Sequence, residues 1–385
     1  MTVEIAGLTA KFQTNYGRAP IGFVRAPGRV SLMGGAVDYN EGFVLPMAIE
    51  RETVAAFAPR KDRLINLSSR QAEEHEASFA LDDEIAPGEP TWANYCKGVA
   101  AGLRSRGTRL VGMDILFDTS LPLGGGLSSS AALEVATALA MLRASGETME
   151  DYELARLCQK AEHEFANSPC GIMDQTICIM GQKGHALLLD CRDGSVKHVP
   201  FDDLSVVVLV ADTQVRHSIA EGGYASRRAQ CFSAAKKLGV KALRDADEEM
   251  LDAAARDGVL ADIELMRARH VVPEIRRTVD AAGALAARDY TRFGKVMLTS
   301  HASLRDNYET SCDELDSVVE LACSCEGAYG ARVSGGGFGG CVVILADAGK
   351  AEAISQTIAS GFFRKFGRPC PIFPTRAAPG AAVLD

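Results

Sequence analysis

At 385 residues the chain exceeds one ordinary core and suits two domains or one elaborated α/β unit. Its composition, 47% hydrophobic and 24% charged, excludes disordered, fibrous and membrane classes. A net charge of −9, with no long run of like charges, leaves no electrostatic footprint for nucleic acid or anionic lipid.

The N-terminal MTVEIAGLTAKFQ puts Glu4 inside what would have to be an apolar signal core, and no stretch reaches the roughly 18 apolar residues of a membrane span. A cytoplasmic protein is expected. The 11 cysteines contain no paired CxxC knuckles. Cys323 and Cys325 form a CxC expected on a helix or its end, and an odd count fits a reducing compartment better than a disulfide framework.

In chain order, apolar and β-branched runs predict strands over 21–26, 43–49 and 53–58. Between the first two, APGRVSLMGGAVDYNEG at 26–42 reads as a glycine turn that sets two tiny residues, Gly35 and Ala36, ahead of Asp38. Small residues make room there. Helical periodicity follows over 92–106, starting at Trp92, whose plain reading is core packing.

After a strand at 113–119 comes PLGGGLSSSAALEVATALA, at 122–140, where glycines and serines run straight into a helix predicted over 130–145. Gly124, Gly125 and Gly126 would let backbone approach a phosphate, and the helix N-terminus would aim free N–H groups and a positive dipole end at its charge. Ser128, Ser129 and Ser130 add hydroxyls for phosphate or Mg²⁺. A flexible turn with an ordinary serine cap is the alternative, and the lysine of a Walker A motif is absent.

The helix predicted over 151–166 carries Glu162 and Glu164, either of which suits Mg²⁺ beside a serine hydroxyl or is simply solvated; His163 reads as a surface or packing residue. In CGIMDQTICIM, Asp174 stands among apolar residues and needs a partner, as a helix N-cap or as a catalytic acid near a cation such as Arg29. Strands follow at 185–191 and 205–212, then helices over 224–238, 262–286, 289–307 and 312–326. Finally SGGGFGGC, with Gly336 and Gly337, precedes a strand at 341–347 and reads as a ligand-hugging loop or a tight corner. Strands crowd the first half and helices the second, so an α+β chain divided into 1–200 and 201–385, with a site in the cleft, is expected.

The order of APGR, PLGGGLSSSAA and SGGGFGG resembles the GHMP small-molecule kinases, and WANYCKGV, CGIMDQ, MGQKGHALLLDCR and SLRDNYETSCDELD resemble galactokinase segments in galactokinase order. The resemblance spans roughly residues 18–345. It implies a two-domain GHMP kinase fold and phosphoryl transfer from MgATP to the anomeric hydroxyl of a sugar. It also implies that Asp174 and Arg29 are catalytic, that Gly124 to Ser130 (with Leu127), Gly336, Gly337 and Trp92 serve ATP, and that Ser130 and Glu162 hold Mg²⁺. For the sugar it implies Asp38, the Gly171 backbone and Tyr224.

One departure stands out: galactokinases carry GEHTDY where this chain has GGAVDY. The missing glutamate and histidine, at Gly35 and Ala36, hold the sugar's C6 hydroxyl in that family. A hydroxyl buried without partners costs about 1–3 kcal/mol. A galacto-configured pentose without C6, L-arabinose, leaves nothing unpaired, and the loop also resembles that of L-arabinokinases. D-Galactose with altered C6 contacts, and a non-catalytic sugar sensor, are the alternatives. A uronic acid fits the space, but the loop has no basic residue to meet its carboxylate.

Overall fold

The computed structural model describes residues 3–72, 74–216 and 223–384. A large mixed sheet is built from β1 (Gly22–Met33), β2 (Phe43–Pro59), β3 (Leu64–Ser69), β4 (Glu76–Ala80), β5 (Met113–Thr119) and β12 (Ala382–Leu384), in the order β12-β1-β2-β5-β3-β4. β6 (His185–Asp190) pairs with β2 and with β7 (Val196–Pro200). β3 and β5 run parallel; the other pairs are antiparallel.

Two expectations need correction here. The runs at 43–49 and 53–58 are one continuous strand: Glu52 pairs with Pro27, and the chain runs extended through the register shift that carries Glu50 and Arg51. The APGRVSLM half of the supposed glycine turn is strand too, the second half of β1. Its register against β2 shifts between Pro27 and Arg29 and again between Ser31 and Met33. Such bulges bend a strand and re-aim its side chains. Gly28 sits in the first shift, where a Cβ would lie 2.6 Å from the Leu127 carbonyl oxygen.

Against the sheet pack α3 (Ser129–Ser145) and α5 (Met173–Met180), and α2 (Ala93–Ser105) and α4 (Asp151–Phe165) pack in turn on α3. α3 is alanine-rich and apolar nearly all round, as a helix buried in a core must be. At Gly98 of α2, a Cβ would come within 2.9 Å of the Ala161 Cβ, so glycine lets α2 and α4 close up. α1 (Ile5–Tyr16) covers the outer face of β2 and β5 through Leu8 and Phe12.

A second sheet runs β11 (Ile372–Thr375), β8 (Val206–Asp212), β10 (Cys341–Asp347), β9 (Ala328–Ser334). Its central strands are apolar on both faces, and strand periodicity sends alternate residues to different cores. Val206, Val208, Val210, Cys341, Val343 and Leu345 join the core of the first sheet. Val207, Leu209, Ala211, Val342, Ile344 and Ala346 pack instead with α6 (Gly223–Leu238), α7 (Glu248–Arg256), α8 (Asp262–Ala286), α9 (Tyr290–Asp306), α10 (Asp313–Cys323) and α11 (Ala351–Phe366). The chain then returns: Ala378 N–H bonds the Ala48 carbonyl, and β12 pairs with β1. Among the described residues every cysteine is free, and α10 ends on Cys323.

Candidate active site

Arg29, aimed inward by the bulge of β1, is 4% exposed and grips Asp174 with both arms of its guanidinium: Nε donates to Oδ1 at 2.8 Å and Nη2 to Oδ2 at 2.6 Å. Its Nη1 donates to the Gly126 carbonyl at 2.6 Å. Asp174 lies in the first turn of α5 and caps nothing, since the N-cap position is Ile172 without a side-chain bond. Its partner is the Arg29 cation and not a helix end.

Ser128 donates to Asp174 Oδ2 at 2.5 Å. It stands at the N-cap of α3 with a left-handed backbone, φ 60°, and makes no side-chain cap bond. The first N–H groups of α3 thus lack the serine partner that a cap would give them and remain available to an anion.

The two glycine loops stack backbone on backbone. A Cβ at Gly335 would meet the Gly126 carbonyl oxygen at 2.8 Å, and one at Gly340 would meet that of Gly125 at 3.1 Å. Gly126 is itself left-handed, φ 72°. Ser334 Oγ accepts from Ser31 N–H at 2.9 Å, tying the late loop to β1. Gly336 faces the Tyr224 ring and Gly337 the Thr310 backbone. Arg216, which the sequence reading passed over, brings its Cδ to 3.3 Å from the Cβ position of Gly124 while forking onto Asp212 at 2.8 and 2.7 Å.

In the first turn of α3, Ser130 donates to Glu162 Oε1 at 3.2 Å. Glu162 also accepts from Ser168 at 3.3 Å, from Cys170 at 3.3 Å and from Gln175 at 2.8 Å. Burial, and then the Asp174 charge, raise its pKa. Gln175 reaches in addition to Glu134 Oε2 at 3.0 Å. Glu134 is fully buried, and among the described residues its Oε1 and the Gln175 Oε1 have no partner. A hydroxyl and a carboxylate crowded by a second acid suit a hard divalent cation, which takes oxygen donors. Among the described residues no group of three or more metal-binding side chains exists, so phosphates and water would complete such a shell.

Asp38 opens a short 3-10 turn, Asp38–Asn40, and its Oδ1 accepts from Tyr39 N–H at 3.0 Å. Gly171 is adjacent: a Cβ there would lie 1.8 Å from Asp38 Oδ2, so only glycine admits the carboxylate. Burial first, and the charge of Asp174 second, lift Asp38 to about 6. Tyr224, at the start of α6, stands edge-on to Tyr39 with ring centroids 5.3 Å apart, and burial pushes its phenol far up. A cavity of about 260 Å³ opens beside Asp38 and Gly171, lined further by Tyr152, Gln159 and Arg228.

Behind Gly35 the room is already taken. A Cβ would meet Arg332 Nη2 at 2.4 Å, and Leu304 lies just beyond. Ala36 is left-handed, φ 60°, and half-buried. Trp92 is the residue that stays apart: its indole donates to the Glu74 carbonyl at 2.7 Å and packs edge-on to Phe117 against the first core. The sequence reading also missed Glu134, Gln175 and Arg332. Gln175 directly follows Asp174, and a polar residue inside an apolar helical run was the available signal.

Residues 94–182 match the GHMP kinases N terminal domain, 281–364 the GHMP kinases C terminal domain, and 10–59 the galactokinase galactose-binding signature. Human galactokinase is 46% identical over 391 residues, covering 99% of this chain and 98% of that one. The galactokinase of Roseiflexus sp. is 42% identical over 389 residues, with 100% and 98% covered. Among solved structures, Lactococcus lactis galactokinase complexed with galactose superposes with a TM-score of 0.94 at 30% identity, covering 99% and 100% of the two chains. Methanococcus jannaschii mevalonate kinase, at 19% identity and a TM-score of 0.66 over 92% and 98%, shares the fold. With Arg29, Asp174 and the two glycine loops assembled around one point, and with relatives matched end to end, the chain belongs to the galactokinase family of GHMP sugar kinases.

Proposed function

We propose that the chain phosphorylates the anomeric hydroxyl of a galacto-configured monosaccharide, L-arabinose or D-galactose, with the pentose slightly favoured. The observation that carries this reading is the two-armed Arg29–Asp174 pair with Ser128 on the same carboxylate, at the open N-terminus of α3.

Asp174 orients the C1 hydroxyl and accepts its proton as that oxygen attacks the γ-phosphorus; Arg29 fixes the carboxylate and answers developing charge. The loop from Gly124 to Ser130 and the facing glycines Gly336 and Gly337 cradle the ATP phosphates with backbone N–H groups. Ser130 and Glu162 would hold Mg²⁺, which when bound neutralises phosphate charge. Asp38, the Gly171 backbone and Tyr224 take the ring hydroxyls.

The pentose preference rests on Gly35 and Ala36, which offer no side-chain acceptor to a C6 hydroxyl. An unpaired hydroxyl costs about 1–3 kcal/mol, or roughly 5 to 150-fold. A galactose preference draws support from the galactose-binding signature over 10–59 and from the relatives' names. A sensor without turnover has no observation in its favour, since the catalytic pair and both loops are intact. ADP release measured over D-galactose, L-arabinose, D-fucose and N-acetylgalactosamine tests the reading. A galactose advantage above about tenfold over arabinose would overturn the pentose preference, and no turnover with any sugar would overturn the kinase assignment.

A further inference from the structure

Arg332, on β9, is 1% exposed. Its Nη1 makes three long contacts, to the Leu32 carbonyl at 3.4 Å, to Met33 Sδ at 3.7 Å and to Glu274 Oε1 at 3.3 Å. Among the described residues its buried Nε has no partner and its Nη2 makes no bond. Buried polar groups in folded proteins are almost always bonded, so an exception of this kind calls for a reason.

The charge around it is also unbalanced. Among the described residues Glu274 is the one carboxylate bonded to Arg332, and it is shared: Oε2 takes Arg277 at 2.9 Å, while Oε1 takes Ser300 at 2.6 Å and the Gly34 and Gly35 N–H groups at 3.1 and 3.3 Å. The two histidines nearby add no compensating charge of either sign at neutral pH, because burial lowers His270 and His301 to about 4. One carboxylate thus serves two guanidinium groups, and the less well bonded of them points at the place where Gly35 has no side chain.

In the galactokinase loop a glutamate occupies the Gly35 position, and its Cβ would stand against Arg332 Nη2. Without that carboxylate the arginine has, among the described residues, only its long bond to the shared Glu274 for a charged partner. Water can bond Nε but does not neutralise the charge. A carboxylate brought by the ligand does both, with the two-pronged geometry that guanidinium favours.

We propose that Arg332 forms an anion-accepting corner of the sugar site, which admits a galacto-configured sugar whose C6 is a carboxylate, a hexuronic acid. The proposal rests on the sugar-kinase reading above and changes what the Gly35–Ala36 gap is for: an arginine from β9 supplies the base that the loop itself lacks.

D-Galacturonate is the probe, measured both by ADP release with MgATP and by direct titration without nucleotide. The wild-type chain is expected to phosphorylate D-galacturonate with a kcat/KM at least equal to that for D-galactose. Gly35→Glu returns a carboxylate to Arg332, and the flexible guanidinium tip can move to admit it. That variant is expected to lose about tenfold or more on galacturonate and to gain on galactose. Arg332→Gln is expected to lose about tenfold more on galacturonate than on L-arabinose; should it fail to fold, Gly35→Glu still decides.

Turnover of galactose or arabinose without binding or turnover of galacturonate overturns the uronate corner and leaves the kinase reading standing. Galacturonate use unchanged in Gly35→Glu also overturns it. If no sugar turns over, the kinase reading falls, and titration still decides the corner: galacturonate binding that Gly35→Glu abolishes supports it, and absence of binding refutes it.

Discussion

Ser128 donates its hydroxyl to Asp174 Oδ2 at 2.5 Å although it occupies the N-cap position of α3, where a serine oxygen ordinarily serves the first-turn N–H groups. The side chain has been given to the acid and the helix end left open. A hydrogen bond to a charged acceptor contributes about 1.5–3 kcal/mol. Ser128→Ala should therefore lower kcat by about 10 to 150-fold, with little loss of stability because no cap bond exists to break. Ser128→Gly, which suits the left-handed backbone, should show the same kinetic loss. Unchanged kcat in both variants would remove Ser128 from the chemistry.

Asp174→Asn keeps the shape of the side chain but turns an amide N–H toward a hydroxyl or a guanidinium that also donates. Loss of a positioned base costs about 10² to 10⁴-fold. The expected result is a kcat lower by that order, with circular dichroism and sugar titration near those of the wild type. A variant with near-normal kcat would sink the assignment.

Much of this site was legible as sequence because it is built from short contiguous segments whose chemistry is local. The GGGLSSS run needs glycine for backbone approach and serine for hydroxyls, and Asp174 in an apolar helix needs a cation. What stayed hidden is long-range. Arg332 is 297 positions from Gly35 and meets it only because β9 crosses behind β1. Glu134 looks like one more residue of an amphipathic helix until α3 proves buried on every side. The strand character of APGRVSLM was masked by its glycine and proline, which are there because the strand bulges. Short strands such as β7 and β12 take their conformation from neighbours rather than from their own pattern.

Asp38 should make sugar binding pH-dependent. Burial and the Asp174 charge raise it from 3.8 to about 6, and in the proposed role the ionised form would accept hydrogen bonds from ring hydroxyls. Affinity in titrations without nucleotide should climb as pH rises toward 6, at most about tenfold per unit, and level off above it. Stability runs the other way: the folded chain keeps a proton that the unfolded chain releases at 3.8, so this group's contribution is full below 3.8, falls as pH rises through 6 and is flat beyond. Asp38→Asn should weaken binding and erase its share of both slopes. A wild-type affinity that is flat from about pH 5 to about pH 8 would contradict the role.

Glu134 should behave as a neutral acid. It is fully buried, it faces Glu162 across Gln175, and burial followed by the Glu162 charge drives its pKa far above the ordinary value of 4.5. A protonated carboxyl is nearly the shape of an amide, so Glu134→Gln should fold and melt close to the wild type near its acid side. As pH climbs from 4.5 toward the raised value, the unfolded wild-type chain releases this proton and the folded chain keeps it, so wild-type stability declines through that window. Glutamine does not titrate. The melting temperature of Glu134→Gln should therefore gain on the wild type as pH rises above about 4.5, while Glu134→Ala loses throughout because it leaves a cavity beneath Gln175. A Glu134→Gln variant that loses ground as pH rises would mean that Glu134 is ionised in the folded chain, and that the charge next to Glu162 is balanced by some other group.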